Sequence, residues 1–203
     1  MPCFLKGFDD NGFIFSGLAD GRIIAIDPKS NDFTDIFNTG GRPLAMQFAR
    51  EIMTSVQSDL IIADAPLGLL AFTQTGELKT LTNEVDGTPI RFADDLDISS
   101  DGVVWFSDAS TRYDFNDTIY EAMETPAAGR LLTYDLKTGE TAIVLDGLHF
   151  ANGVALADDE SFVDRVVECI NTRLTALKRK EIASASWENF GAIIIVNDFS
   201  EAL

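Results

Sequence analysis

Asp95-Leu96-Asp97-Ile98 runs through a turn at Asp101-Gly102 into Val103-Val104-Trp105-Phe106-Ser107-Asp108. Further on, Arg130-Leu131-Leu132-Thr133-Tyr134-Asp135 passes a Thr138-Gly139 turn into Thr141-Ala142-Ile143-Val144-Leu145. Short apolar or alternating runs bounded by Gly, Asp, Asn and Thr are the pattern of strands joined by tight turns. The same order stands upstream. There, Pro43–Phe48, Asp59–Asp64 and Leu69–Phe72 lead through Thr75-Gly76 to Leu78–Leu81. Earlier still, Asn11-Gly12 precedes Phe13–Ser16, Arg22–Asp27 and Phe33–Phe37. Gly17, Asp64 and Asp108 end one strand of successive units at spacings of 47 and 44, and Arg42, Asp94 and Asn152 precede the next unit's first strand at spacings of 52 and 58. Units of about 40–50 residues with four strands each are β-propeller blades. The fold class expected is therefore all-β, a β-propeller of about four blades, with residues 1–203 forming one partial domain.

Two places break the pattern. About twenty residues, Ala109 to Ala128, enter between the second and third strands of the third unit. Tyr113, Ile119, Tyr120 and Met123 in it fit a short amphipathic helix within 110–126, stopped near Pro126. Such an insertion emerges at a blade end, as a pocket lid or as a decorated loop. In the fourth unit, Gly153–Leu156 and Ser161–Val163 begin as strands. Val163, Val166 or Val167, Ile170, Leu174, Leu177 and Ile182 then follow at helical spacings of three and four. Arg173–Leu177 nevertheless stands where Arg130–Tyr134 stands, and Gly191–Val196 resembles a closing strand. Strands are expected, because four consistent units outweigh one local period.

The chain has 33 acidic and 15 basic side chains, a net charge of −18. That field repels phosphate and argues against nucleic acid and anionic membranes as partners. A 46% hydrophobic content supports a packed core. No run reaches the roughly 18 apolar residues of a spanning helix. The two cysteines, Cys3 and Cys169, are too few for a disulfide scaffold. The reading is of a soluble protein, with cytoplasmic and exported locations both open.

Several segments resemble the strictosidine-synthase-like proteins, a group that also includes gluconolactonase, regucalcin, the paraoxonases and adipocyte plasma-membrane-associated protein. They are Gly17–Arg22, Gly40–Leu44, Ile62–Ala65, Gly68–Leu70, Phe92–Ile98, Phe106–Tyr113, Gly129–Leu132 and Phe150–Leu156. The resemblance is strongest over 10–163, and 164–203 diverges. It implies a six-bladed architecture of which four blades' worth of chain is present, so a fragment of a longer protein is expected. Asn197–Glu201 resembles the lead-in to a fifth blade. End blades of an open arc would expose apolar faces, and a homo-oligomer through them is expected.

A residue just ahead of each first strand points toward the axis at one channel mouth, the place given to Arg42, Asp94 and Asn152. Carboxylate and amide oxygens there suit Ca²⁺ or another divalent cation. The resemblance implies a metal held by a Glu, two Asn-type positions and an Asp. Asn152 matches one Asn position, and Asp94 stands where relatives carry Asn. The Glu near the start has no counterpart at Met1-Pro2-Cys3, and the late Asp would lie past Leu203. Arg42, Phe92 and Tyr113 are expected to line the channel or pocket. No catalytic residue is assigned, His149 being a weak candidate base by its chemistry alone. The amine–aldehyde condensation of strictosidine synthase uses a Glu in a later blade and is not expected. The function expected is cation-dependent hydrolysis of small esters or lactones. The alternative is a non-catalytic propeller fragment that binds a partner or self-associates.

Overall fold

The computed structural model describes residues 12–49, 60–73, 75–157 and 160–190. The chain divides into two compact units, with the boundary between Ala155 and Leu156. The first holds three successive antiparallel sheets. β1 (Ile14–Gly17), β2 (Arg22–Ile26) and β3 (Phe33–Asn38) form one. β4 (Pro43–Phe48), β5 (Leu60–Asp64), β6 (Gly68–Phe72) and β7 (Leu78–Thr82) form the second, in chain order. After a small hairpin of β8 (Glu84–Val85) and β9 (Thr88–Pro89) comes the third. It comprises β10 (Ala93–Ile98), β11 (Val103–Asp108), β12 (Gly129–Asp135) and β13 (Thr141–Leu148). Chain-order meanders of this kind are the blades of a partial β-propeller.

The expected turns are realised where the sequence places glycine. Gly76, Gly102 and Gly139 take φ of 83°, 96° and 79°, values that side-chain-bearing residues rarely adopt. Each blade must bury both faces against its neighbours, which is why its second strand is apolar without interruption. Every residue of β5 and β11 is buried, whereas β3 and β7 are largely exposed. Alternation then divides the core. Leu60 and Ile62 join Ile23, Met46 and Leu70 between the first two blades. Ile61 and Ala63 join Leu96, Val104, Phe106 and Leu132 between the second and third. The Phe37 and Phe72 rings stack across the first seam, 3.7 Å apart and 8° from parallel.

The second unit corrects the sequence expectation. Residues Glu160–Ala176 form helix α2 and Lys180–Phe190 form α3, where strands were expected. The spacing of Val163, Val166, Ile170, Leu174 and Leu177 expresses the helical period after all. Gly153–Leu156 has no strand pairing, and Cys169 is an exposed helical residue. Gly191–Val196 lies outside the described residues. No helix among those described is long and apolar enough to cross a membrane.

The insertion is helical as expected, but its polarity is reversed. A 3₁₀ turn, Phe115–Asp117, leads into α1 (Thr118–Glu124), with Tyr113 ahead of it. Ile119, Tyr120 and Met123 point to solvent at 62%, 52% and 74% exposure, and Glu121 is the one buried residue of the helix.

Candidate functional site

The mouth is built by one device used twice. In the second blade Asp64 Oδ1 accepts a hydrogen bond from Arg42 N at 2.9 Å, and Ala65 N donates to Arg42 O at 2.9 Å. In the third, Asp108 Oδ1 accepts from Phe92 N at 2.9 Å, and Ala109 N donates to Phe92 O at 2.8 Å. The carboxylate ending one strand thus fixes the chain entering the innermost strand. Desolvation pushes both carboxyls above the usual range. For Asp64 the opposing pull comes from the Arg42 amide and Thr39, and for Asp108 chiefly from Arg130.

This device corrects the alignment of the blades. Arg42 is equivalent to Phe92, not to Asp94. Pro43 stands opposite Asp64 as Ala93 stands opposite Asp108. The counterpart of Asp94 in the second blade is therefore Leu44, which carries no donor oxygen. Leu44 packs with Ala65, Phe92, Ala109 and Phe150 in a small apolar cluster.

At Asp94 and at Asn152 the chain passes close to the preceding blade. Ala93 N donates to Ala65 O at 3.3 Å, linking the second and third blades. At the next seam, Ala151 N and Ala109 O lie 2.8 and 2.9 Å from where a Gly129 side chain would begin. Phe150-Ala151-Asn152 therefore runs past the third blade as Phe92-Ala93-Asp94 runs past the second. Ser107 Oγ donates to Asn152 O at 2.7 Å and accepts from Asp95 N at 3.1 Å. Asp95 Oδ2 takes Val154 N at 2.9 Å. Asn152 is exposed, with its carbonyl held in this way.

Asp94 is half-buried, and its carboxyl is pushed up to about 6, first by desolvation and then by the neighbouring Asp95 charge. No donor side chain among the described residues reaches it. Nor do three or more His, Cys, Asp or Glu side chains there gather closely enough to hold a metal by themselves.

The insertion lies over this mouth as a lid. Phe115 packs edge-on against Phe92 at 5.7 Å, and the Arg42 guanidinium sits 5.0 Å over its ring. Phe92 also meets Phe150 edge-on at 5.4 Å. At the far end of α1, His149 Nδ1 lies 3.0 Å from Thr125 O, so Nδ1–H donates to that carbonyl. Thr111 N donates to Ala128 O at 2.9 Å, closing the stem. Arg42 and Phe92 are thus both buried beneath the insertion. Tyr113 lies on the lid's flank, its ring 6.1 Å from Tyr120, its phenol raised by a hydrogen bond to Glu124.

Residues 94–181 match the family described as strictosidine synthase. Over that stretch the chain is similar to strictosidine-synthase-like proteins. Protein strictosidine synthase-like 4 of Arabidopsis thaliana is 34% identical over 157 residues, covering 75% of this chain and 41% of the relative. Adipocyte plasma membrane-associated protein of Salmo salar is 36% identical over 181 residues, covering 80% and 41%. The chain thus spans about two fifths of the length of these relatives. A solved gluconolactonase from Xanthomonas campestris superposes at a TM-score of 0.54 and 10% identity, covering 73% of this chain and 48% of that one, which establishes the fold alone.

Three residues around these segments were not legible as such in the sequence. Leu44 was hidden by the two-residue misalignment. Arg130 stood among ordinary strand residues, although it faces Asp108 directly. Glu121 sat in an apolar-looking helix whose apolar side turned out to face solvent.

Proposed function

We propose that this chain supplies part of the channel mouth of a divalent-cation-dependent hydrolase of small esters or lactones. The observation that supports this reading is the equivalence of Asp94 and Asn152, residues with hard oxygen donors at the same place in consecutive repeats. A half-buried carboxylate raised by desolvation gains from a nearby cation, and such oxygens suit Ca²⁺ or another oxygen-seeking divalent ion. Leu44 offers no donor, so further ligands would come from water, substrate and residues outside those described. When bound, such an ion polarises the ester carbonyl and lowers the pKa of a bound water.

The chain's own residues then have distinct tasks. Asp94 and Asn152 hold the ion. Ser107 and Asp95 fix the backbone of the Asn152 segment. Phe92, Phe115 and Phe150 form an apolar wall that limits water at the mouth. The contact of His149 with the Thr125 carbonyl supports a fastening role for it.

Aryl acetates and a panel of lactones, assayed with and without CaCl₂, test the reading. Expected are cation-dependent turnover and a higher melting temperature in Ca²⁺. Absence of both overturns it.

A second reading is favoured by Phe33 and Ile36, which stand 62% and 41% exposed on the outer strand of the first blade. In this reading the chain is a non-catalytic module that self-associates through an end blade. Light scattering decides, since a monodisperse monomer at tens of micromolar excludes it.

A further inference from the structure

The proposed hydrolysis uses nothing of the second unit, where α2 and α3 pack together and leave a groove between them. Its hollow measures about 520 Å³, a size that admits small ligands. Asn171, Leu174 and Thr175 line it from α2, and Lys180, Ser184 and Trp187 from α3. These are neighbours at helical spacings of three and four, so each helix gives one continuous face.

The groove is graded in charge. Lys180 begins α3, and Glu188, which also lines the hollow, stands in its last turn. Neither forms an ion pair among the described residues. Lys178 and Arg179 precede Lys180 in the connection between the helices. A second hollow of about 630 Å³ shares Asn171 and Thr175 and adds Asp164 and Glu168, farther along α2 from that connection. Of the cations nearby, Arg165 sits over the Phe162 ring at 5.1 Å. The dipole of α3 has the same sense, positive at Lys180 and negative toward Glu188. A ligand matched to this gradient carries an anion at one end and a cation at the other.

We propose that the α2–α3 groove binds a short apolar peptide with both termini free, its carboxylate at Lys180 and its ammonium toward Glu188. Eight residues of α3 separate the two charges, about 12 Å at 1.5 Å per residue. Three extended peptide residues span about 10 Å. Leu174 and Trp187, both half-buried, take an apolar side chain. Asn171 and Ser184 each donate and accept, as the N–H and C=O of peptide amides require. The Thr175 hydroxyl donates to Thr172 O at 2.7 Å, which leaves its lone pairs to accept. The site stands apart from the channel mouth and does not rest on the hydrolase reading.

Titration calorimetry of the full chain tests this with four probes. They are alanyl-leucyl-alanine, its N-acetyl form, its C-terminal amide, and 8-aminooctanoate, which keeps both charges but has no amide. The free tripeptide is expected to bind at least about threefold tighter than each of the others, exposed charges setting the modest size of the preference. Lys180→Gln should abolish the preference over the C-terminal amide and keep that over the N-acetyl form. Glu188→Gln should do the opposite. Both side chains are exposed, so both variants are expected to fold. No binding of the tripeptide at millimolar concentration, equal binding of its capped forms or of 8-aminooctanoate, or preferences unchanged in the two variants would overturn the proposal.

Discussion

Asp108 and Arg130 stand directly opposite one another in β11 and β12, and their side chains meet again in a 2.6 Å ion pair with 0% and 5% of each exposed. They are also the two feet of the lid, since the insertion leaves the sheet after Asp108 and re-enters it just before Arg130. Arg130 Nη2 further donates to Pro89 O at 3.1 Å, and the other oxygen of Asp108 holds Phe92 N. In the second blade the residue opposite Asp64 is Gly68, and Thr39 supplies the hydroxyl at 2.7 Å.

Removing one partner of this pair strands a buried charge. Arg130→Met is expected to destabilise the fold by about 3–5 kcal/mol. Asp108→Asn combined with Arg130→Met should recover part of that loss, because no charge then remains buried. Urea unfolding of the three proteins checks this, and a double variant no more stable than Arg130→Met refutes it.

Gly40 and Gly41 adjoin, yet their substitution by alanine should differ. Gly40 has φ 79° and open space around it, so Gly40→Ala costs about 1 kcal/mol through the backbone alone. A Cβ on Gly41 would collide with Asp64 Oδ1, the oxygen that binds Arg42 N. Gly41→Ala is therefore expected to cost more, about 2–3 kcal/mol, in the range of overpacking. Melting temperatures of the two variants rank them, and equal shifts would contradict the clasp.

The blades were legible because their physics is local. Alternation in β10 and β12, unbroken apolar runs in β5 and β11, and glycine at the tight turns each point to strands. What failed depended on contacts between distant residues. Arg42 stands two residues before the true counterpart of Asp94, and spacing alone hides this because more chain separates β4 from β5 than β10 from β11. Only the bonds from Asp64 and Asp108 restore the register. The fourth unit failed because repetition was set above a local period that α2 obeys. The reversed α1 was beyond reach, since Ile119 and Met123 carry no mark of which side meets water.

Asp94 should give the chain a pH signature. Its folded value, about 6, lies above the ordinary 3.8, so ionisation opposes folding. The penalty is complete above pH 6, shrinks as pH falls through 6, and vanishes below about 4. In EDTA at pH 7.5, Asp94→Asn is expected to be more stable than wild type by about 1–2 kcal/mol, partial exposure reducing the full shift. The difference should close by pH 4.5. Calcium should stabilise wild type at pH 7.5, and Asp94→Ala, which removes the donor oxygen altogether, should be left unmoved. Thermal melts across this grid settle both points, and a pH-independent difference would show that Asp94 is not desolvated as described.

Phe115 should hold the lid down. Its ring is the contact that joins α1 to Phe92 and Arg42, while Thr111 and Ala128 only close the stem. Phe115→Ala removes that ring from a partly exposed site, so the loss is expected at about 1–2 kcal/mol, below the 3–5 of a fully buried phenylalanine. The loss should be local, because the strands of the third blade pair without it. Limited proteolysis should then cut within 113–126 at least several times faster than in wild type, with little change in the global melting temperature. His149→Ala should produce the same pattern more weakly, since it removes one hydrogen bond at the other end of the helix. Cleavage outside the insertion, or none faster than wild type, would mean that the lid is fastened by something other than these two contacts.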